Sequence, residues 1–449
     1  MMNQSKTEFD AIVVGTGPGG ATVARDLALA EKKVLILERG DFEPLKGSAV
    51  QFTKNVLNPG KGLIITNEFT AMIRGLSTGG STVVYCGTAF DPPFDKLNRH
   101  GVDLSTEIEE VKSEVPIAPL PDELMPPAGK PFAESALDLG YDVKKLNKFI
   151  YQDKCKPNCQ LCSYGCPYDA KWSARLFVND ALEHGAKIIN HAKVEEVITQ
   201  GNRAIGVEYK RNKENFRAFA PLIVVGAGGI GTPTILRRSG IRSVGHDFFF
   251  DPLIIVNGSL KNLKSGKGIP MSHGIHLEED GIMMTDFNLP RFVKISFDLE
   301  VFKFRRAFEF HNVLPIMVKV RDGLGGRVTD REWVWKKLTK EDKNKLNKGA
   351  EHARRILENA GATNIYQWWR LAGHPGGTVK IGESVDENLK TRFDNLYVCD
   401  CSVMPEEWGV PPTLTILCLA KRLSKHLLGL DKEIGKQDPV DVTPVFQAV

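Results

Sequence analysis

Residues 9–40, FDAIVVGTGPGGATVARDLALAEKKVLILERG, run from a short apolar strand into a glycine turn, an amphipathic helix and a second apolar strand ending in an acid, Glu38. Gly15 lets the chain turn sharply off the first strand, Gly17 lets backbone come close to a pyrophosphate, and Gly20 lets the helix lie against the sheet with its N-terminus facing the anion. Glu38 can accept a hydrogen bond from a ribose hydroxyl and would repel a 2′-phosphate, so the expected ligand is FAD or NAD rather than NADP. The same glycines could also form a βα turn with no ligand. What favours a dinucleotide is that strand, turn, helix, strand and acid all fall in register.

The chain has 449 residues, long enough for two intimately joined domains. Hydrophobic residues at 42% and charged residues at 25% are globular values that indicate neither disorder nor a membrane protein. A net charge of +4 gives no argument for nucleic acid. No apolar run approaches the span of a bilayer, and MMNQSKTEFD enters the first strand without a signal-peptide core. The expected location is the cytoplasm, with membrane-peripheral placement or a redox complex as variants. Four of the eight cysteines, Cys155, Cys159, Cys162 and Cys166, lie within one short stretch. With no export signal, that clustering argues for a metal site and against a disulfide framework.

Outward from the opening unit, residues 72–90 (MIRGLSTGGSTVVYCGTAF) carry glycines among small hydroxyl residues. Either backbone passes close to something flat or anionic there, or the stretch is a tight loop between strands. Residues 91–150 are rich in proline and charge and read as a surface-crossing connection. A helix is expected near Ser173–His184, with strands at 186–200 and 204–211. PLIVVGAGGIGTPTILRRSG (221–240) is a buried strand, a second glycine turn and a helix ended by Gly240. No acid ends a following strand, which argues against a second nucleotide. Alternation within about 247–335, as in 251–260, 291–302 and 313–323, suggests antiparallel strands with one wet face. Thr339 caps a helix through about Asn359, ended by Gly361. A strand at NLYVCDCSVMP and an apolar helix from about Pro412 to Leu428 follow, then an extended tail.

Together these pieces resemble the glucose-methanol-choline (GMC) family of FAD oxidoreductases. The shared motifs are GTGPGG with LERG, RGLSTGGSTVVYCG, VVGAGGIGTPTILRRSGI, HPGGTVKIG, NLYVCDCSVMP and PPTLTILCLAKR. The resemblance implies an α/β fold with a discontinuous Rossmann-type FAD-binding domain (1–95, 170–246 and 371–431). An α+β substrate-binding domain with an antiparallel sheet (247–370) would cover the flavin. A connecting segment (96–150), a four-cysteine insert (151–169) and a tail (432–449) complete the chain. By the same resemblance FAD contacts Gly15, Gly17, Pro18, Gly19, Gly20, Glu38, Arg39, Gly75, Ser77, Gly79, Gly80, Ser81, Val194, Asp400, Pro412 and Thr413. Asp400 matches the family acid near the ribityl and pyrophosphate, or else is only a turn cap. The 75–90 signature has no histidine, so the FAD is expected to be non-covalent.

His374 is the residue that the resemblance makes catalytic. A carbinol is a poor hydride donor until its hydroxyl proton is removed, and imidazole has a pKa suited to that task near neutrality. The family usually supplies a second polar residue from the loop before the final helix, and here Pro411 stands there with no side-chain donor. The cysteines are spaced C-x3-C-x2-C-x3-C with Pro167 after the last. That is close to the bacterial ferredoxin run and points to a [4Fe-4S] cluster, with zinc or redox thiols as alternatives.

The resulting expectation is a dehydrogenase acting on the CH–OH group of a small-molecule alcohol. His374 takes the proton, the flavin takes hydride, and electrons leave singly through the cluster to a redox partner protein or quinone-linked acceptor. Two other readings stay open: an NAD(P)H-linked flavoprotein reductase using redox thiols, and a flavin/iron-sulfur electron-transfer subunit of a larger complex. Neither the alcohol, the natural acceptor nor the oligomeric state is legible in the sequence.

Overall fold

A computed structural model describes residues 8–304 and 310–434, so the expected extended tail lies almost wholly outside the described residues. The apolar strands of the opening stretch form the centre of a parallel sheet. Ala11–Val14 lies between Val34–Leu37 and Leu222–Val225, and Lys187–Ile189 and Leu396–Val398 complete its two edges. Ile12, Val13, Ile36 and Val224 are fully buried, as unbroken apolar runs in a parallel sheet require. Helix Pro18–Leu29 packs against both Ala174–Glu183 and the last helix, Thr413–Ile434. Between the third and fourth of these strands in chain order, an antiparallel sheet of Lys193–Gln200, Arg203–Arg211 and Glu214–Phe219 is inserted.

The second large sheet has nine strands and is mainly antiparallel. Pro252–Ser259 pairs with Val313–Val320 over its whole length, and Ile282–Asp286 flanks the latter. All eight residues of Val313–Val320 are buried. Leu314, Ile316, Val318 and Val320 pack toward helix Lys340–Asn359, whereas Met317 packs with Ile255, Met283, Tyr366 and Trp368 on the opposite face. The expected wet face is therefore dry at the centre of the sheet. Helix Lys340–Asn359 begins as anticipated: Thr339 forms a capping box with Asp342, and Gly361 follows the last turn at φ +76°.

Two expectations are corrected. Residues 291–302 were expected as a strand, but Arg291–Glu300 is a helix. Lys294 and Asp298 form an i,i+4 ion pair buried in the protein, and Asp298 Oδ1 accepts from Tyr366 Oη at 2.7 Å and Trp368 Nε1 at 2.8 Å. A helix brings residues four apart into contact, whereas in a strand they share a face but lie about 13 Å apart. Residues 91–150, read as a surface connection, contain the helices Phe94–Asn98, Ser105–Glu114 and Gly129–Asp138. Leu97, Val102, Leu104 and Ile108 join the core of the parallel sheet, while Phe132 and Ala136 join that of the nine-stranded one. Proline there sets segment ends without excluding burial.

Candidate active site

The glycine turn is built by close backbone contacts. Gly15 has φ +93°, and a Cβ there would stand 2.4 Å from Gly226 O; a Cβ on Gly20 would stand 2.2 Å from Gly15 O. Gly17 differs: an added Cβ would meet nothing within 4 Å. The helix that starts at Pro18 has no side-chain cap and no acid in its first turn. Its first turn therefore carries neither a cap nor a negative charge of its own, an arrangement suited to an anion. Gly80 approaches from the other side, its missing Cβ only 3.0 Å from Gly17 Cα. This open cradle is the feature that fits FAD to the residues present.

Glu38 is buried, and its carboxylate accepts from Thr16 N at 3.0 Å, Thr16 Oγ1 and Gly40 N at 2.7 Å. Burial raises its pKa, and the bonds from Thr16 and Gly40 oppose that rise. A carboxylate has about four acceptor sites, so capacity for a ribose hydroxyl remains. Thr16 was not singled out from the sequence, yet its hydroxyl also accepts from Gly79 N at 3.0 Å and so ties the glycine turn to the 75–90 loop. Within that loop Ser81 Oγ accepts from Gly75 N at 3.1 Å, and Ser77 is buried against Gly40. Arg39 reaches Glu332 at 3.3 Å, and Arg74 pairs with the same carboxylate. Val194 is buried in the antiparallel insert. Pro412 and Thr413 are buried at the start of the last helix, where Pro412 O accepts from Ile416 N at 2.9 Å.

Asp400 is buried and serves several donors: Gly228 N at 2.8 Å, Thr232 Oγ1, and Ser402 N at 2.7 Å. Burial raises its pKa against those bonds. Its carboxylate fills the N-terminus of helix Gly228–Arg238, so the anion position of the second glycine turn is taken by the chain itself.

His374 lies in a turn at φ +51°. A Cβ on Gly229 would stand 1.9 Å from Pro375 O, so this turn rests directly on the start of the helix that Asp400 caps. His374 Nδ1 is 3.0 Å from Asp251 Oδ2, and Asp251 Oδ1 accepts from Gly409 N at 3.0 Å. An Nδ1–H donated to the carboxylate leaves the lone pair on Nε2. Lys319 Nζ is 3.6 Å from Asp251 Oδ2. Burial pushes the His374 pKa down, the charge of Lys319 adds to that, and Asp251 opposes it. The sequence pointed to His374 but gave no sign of Asp251 or Lys319. Pro411 lies two residues beyond Gly409, so the loop expected to supply a polar side chain contributes a backbone N–H to Asp251 instead.

The cysteine loop sits behind the 75–90 loop. Lys171 Nζ donates to Val83 O at 2.9 Å and to Tyr85 O and Cys162 O at 2.8 Å, joining the two. Cys162 and Cys166 are buried, Cys155 and Cys159 half-buried, and all four are free thiols. Burial pushes Cys162 up to about 12 and Cys155 up to about 11. Among the described residues no three His, Cys, Asp or Glu side chains converge to hold a metal ion. The four thiols are near enough to act on one another's charge, Cys162 being affected by Cys166, Cys155 and Cys159, yet they do not form a metal-holding group.

Residues 9–253 and 327–420 match the N- and C-terminal profiles described as GMC oxidoreductase. An uncharacterized protein of Methanocaldococcus jannaschii is 27% identical over 428 residues, covering 94% of this chain and 100% of the relative. An uncharacterized GMC-type oxidoreductase of Mycobacterium tuberculosis is 30% identical over 309 residues, which are 64% of this chain and 49% of that protein. A long-chain-alcohol oxidase of Arabidopsis thaliana is 23% identical, covering 94% of this chain and 68% of the oxidase. Among solved structures, formate oxidase of Aspergillus oryzae superposes with a TM-score of 0.75 at 14% identity, covering 96% of this chain and 100% of that one. Pyridoxine 4-oxidase from Mesorbium loti gives 0.73 at 16% identity, covering 94% and 99%. The structural likenesses speak for the fold alone, and the matched profiles span more than half of the sequence, including the glycine turn, the Asp400 strand and the His374 turn. By that measure the chain belongs to the GMC oxidoreductase family and is an FAD-dependent oxidoreductase of CH–OH donors.

Proposed function

We propose that the protein oxidises an organic alcohol to its carbonyl, with His374 as the base that takes the hydroxyl proton. The observation that carries this reading is the pairing of His374 Nδ1 with Asp251 at 3.0 Å, which orients the ring and leaves Nε2 for a substrate oxygen. FAD, when bound, supplies the hydride acceptor. The chain's own part is to hold the substrate oxygen at Nε2 and to exclude water from the face of the sheet that carries Met317. Ile255, Met283, Met317, Tyr366 and Trp368 make that face largely apolar, which suits an aliphatic or aromatic alcohol. The alcohol oxidised by the plant relative is consistent with this class. The test is anaerobic reduction of the bound FAD by a panel of alcohols. His374→Ala should slow reduction roughly 10²- to 10⁴-fold with FAD retained. An unchanged reductive half-reaction would remove His374 from the chemistry.

An iron-sulfur exit to a redox partner is supported by the cysteine spacing and by the Lys171 link between the cysteine loop and the 75–90 loop. Alcohol oxidation as proposed does not depend on it. Iron and acid-labile sulfide analysis decides the matter. Peroxide formed at the full rate of alcohol turnover, with no iron, would make dioxygen the acceptor.

A further inference from the structure

Six lysines are buried among the described residues, and five of them have hydrogen-bonding partners, Lys294 on Asp298 and Lys380 on Glu383 among them. Lys148 Nζ donates to Thr88 Oγ1, Pro270 O and Met271 O at 2.7–3.2 Å. Lys171 makes the bonds described above. Lys336 pairs with Asp322 at 2.8 Å and donates to Phe248 O and Gly323 O. Lys319 is 1% exposed, yet its Nζ has no hydrogen-bond partner among the described residues. Strand alternation puts it on the Met317 face, opposite Leu253 on one neighbouring strand and Met283 on the other. An ammonium among such side chains is costly unless it has a counter-ion. Asp322 is committed to Lys336 and to the Phe250 and Asp251 backbone N–H groups. Asp251, at 3.6 Å, is what remains for Lys319, and it is the carboxylate that already holds His374.

We propose that Lys319 is a positioning residue of the oxidation site, its ammonium sharing Asp251 with His374 so that the imidazole enters the reaction as a neutral base. The proposal rests on the reading of His374 as the base. A purely structural side chain here would be served better by methionine, which fills a similar volume without a buried charge. With Lys319 charged, Asp251 cannot spend its full attraction on a protonated His374, and Nε2 stays free to receive the hydroxyl proton. Lys319 itself gains and loses no atom in the step. Burial brings its pKa down to about 8, with Asp251 opposing, so it is charged at neutral pH. Other charged groups facing this cluster are Lys96, which acts on Asp251 from the 94–98 helix, Arg321, which follows Lys319's own strand, and His276 from strand His273–Leu277. The Cys401 thiol, which donates to His374 O at 3.8 Å, also feels the Asp251 charge. None of these touches Asp251 by a hydrogen bond or an ion pair, so they form a background common to all variants.

The experiment is an NMR titration of the FAD-loaded enzyme labelled with ¹³C at histidine Cε1, His374 being assigned by the signal lost in His374→Gln. In Lys319→Met and Lys319→Gln the His374 midpoint should rise by about one pH unit, while Lys319→Arg should leave it nearly in place. The rising limb of flavin reduction against pH should move with it, which loss of packing alone would not produce. Equal midpoints in wild type and both neutral variants would overturn the proposal. If neither neutral variant retains FAD, the wild type provides the test: the His374 signal should show a second inflection as Lys319 loses its proton near pH 8, and a flat signal from there upward overturns the inference. Should His374→Ala reduce normally with alcohol, the base reading fails on its own account, and the titration still reports whether Lys319 and His374 are coupled.

Discussion

Gly17 and Gly15 lie two positions apart and should fail in different ways. Gly17 has φ −62° and open space at its Cβ position, so Gly17→Val should fold normally and lose FAD. Gly15→Ala meets both a positive φ and Gly226 O, so the fold itself should weaken. Thermal melts with flavin content separate the two, and full FAD occupancy in Gly17→Val would contradict the cradle. Glu332 belongs to the same neighbourhood. Burial works to raise its pKa, but the charges of Arg74 and Arg39 win and hold it at about 2. A depressed acid contributes stability that is present above its unfolded pKa and is lost as pH falls through the folded value. Burial of Arg74 acts against the pair by lowering the guanidinium's own pKa. The net loss in Glu332→Gln at neutral pH is accordingly on the order of 1–3 kcal/mol, shrinking between about pH 5 and pH 2. Denaturant melts across that range measure it, and a pH-independent difference would contradict the ion pair.

Among the segments, helix Lys340–Asn359 is the clearest case in which local sequence sets structure. Thr339 Oγ1 accepts from Asp342 N at 3.0 Å, and Asp342 Oδ2 in turn accepts from Thr339 N at 2.8 Å. Thr339→Ala should cost about 1 kcal/mol, read as a fall of a few degrees in Tm, with FAD content unchanged because this helix packs on the far face of the sheet. Helix Arg291–Glu300 is the opposite case. Its apolar positions alternate as in a strand, and the helix is selected by the buried Lys294–Asp298 pair and the two donors that Asp298 receives from Tyr366 and Trp368. Asp298→Leu should therefore disturb the Trp368 environment, visible as a shift in tryptophan emission.

The described chain binds its parts through polar links that cross long stretches of sequence: Glu38 to the glycine turn, Asp400 to helix Gly228–Arg238, Asp251 to both His374 and Gly409. FAD, by the positions assigned to it, would bridge the glycine turn, the 75–90 loop and the Asp400 strand. A ligand that binds only the folded state stabilises it by about 2.7 kcal/mol at one hundred times its Kd. Removing the flavin should lower Tm by several degrees, re-adding it should restore the loss, and Gly17→Val should melt like the flavin-free wild type. Among the described residues no helix is long and apolar enough to cross a membrane.

The sequence by itself determined what depends on neighbours along the chain. The βαβ unit with its glycines follows from backbone conformations that only glycine relieves, and the helix after Thr339 from its cap. The family motifs located His374 because a motif is also a local pattern. Only the tertiary structure decided what depends on distance in space. Asp251 meets His374 across 123 positions, and no periodicity marks such a pairing. Lys319 reads in sequence as the exposed member of an alternating strand, and becomes buried because the other face of that strand is covered as well. The 291–300 helix and the cores beneath the proline-rich 91–150 segment were decided in the same way, by partners that local propensity cannot anticipate. So was the arrangement of the cysteines: their spacing states which thiols are near one another, but convergence on one metal is a property of the folded loop.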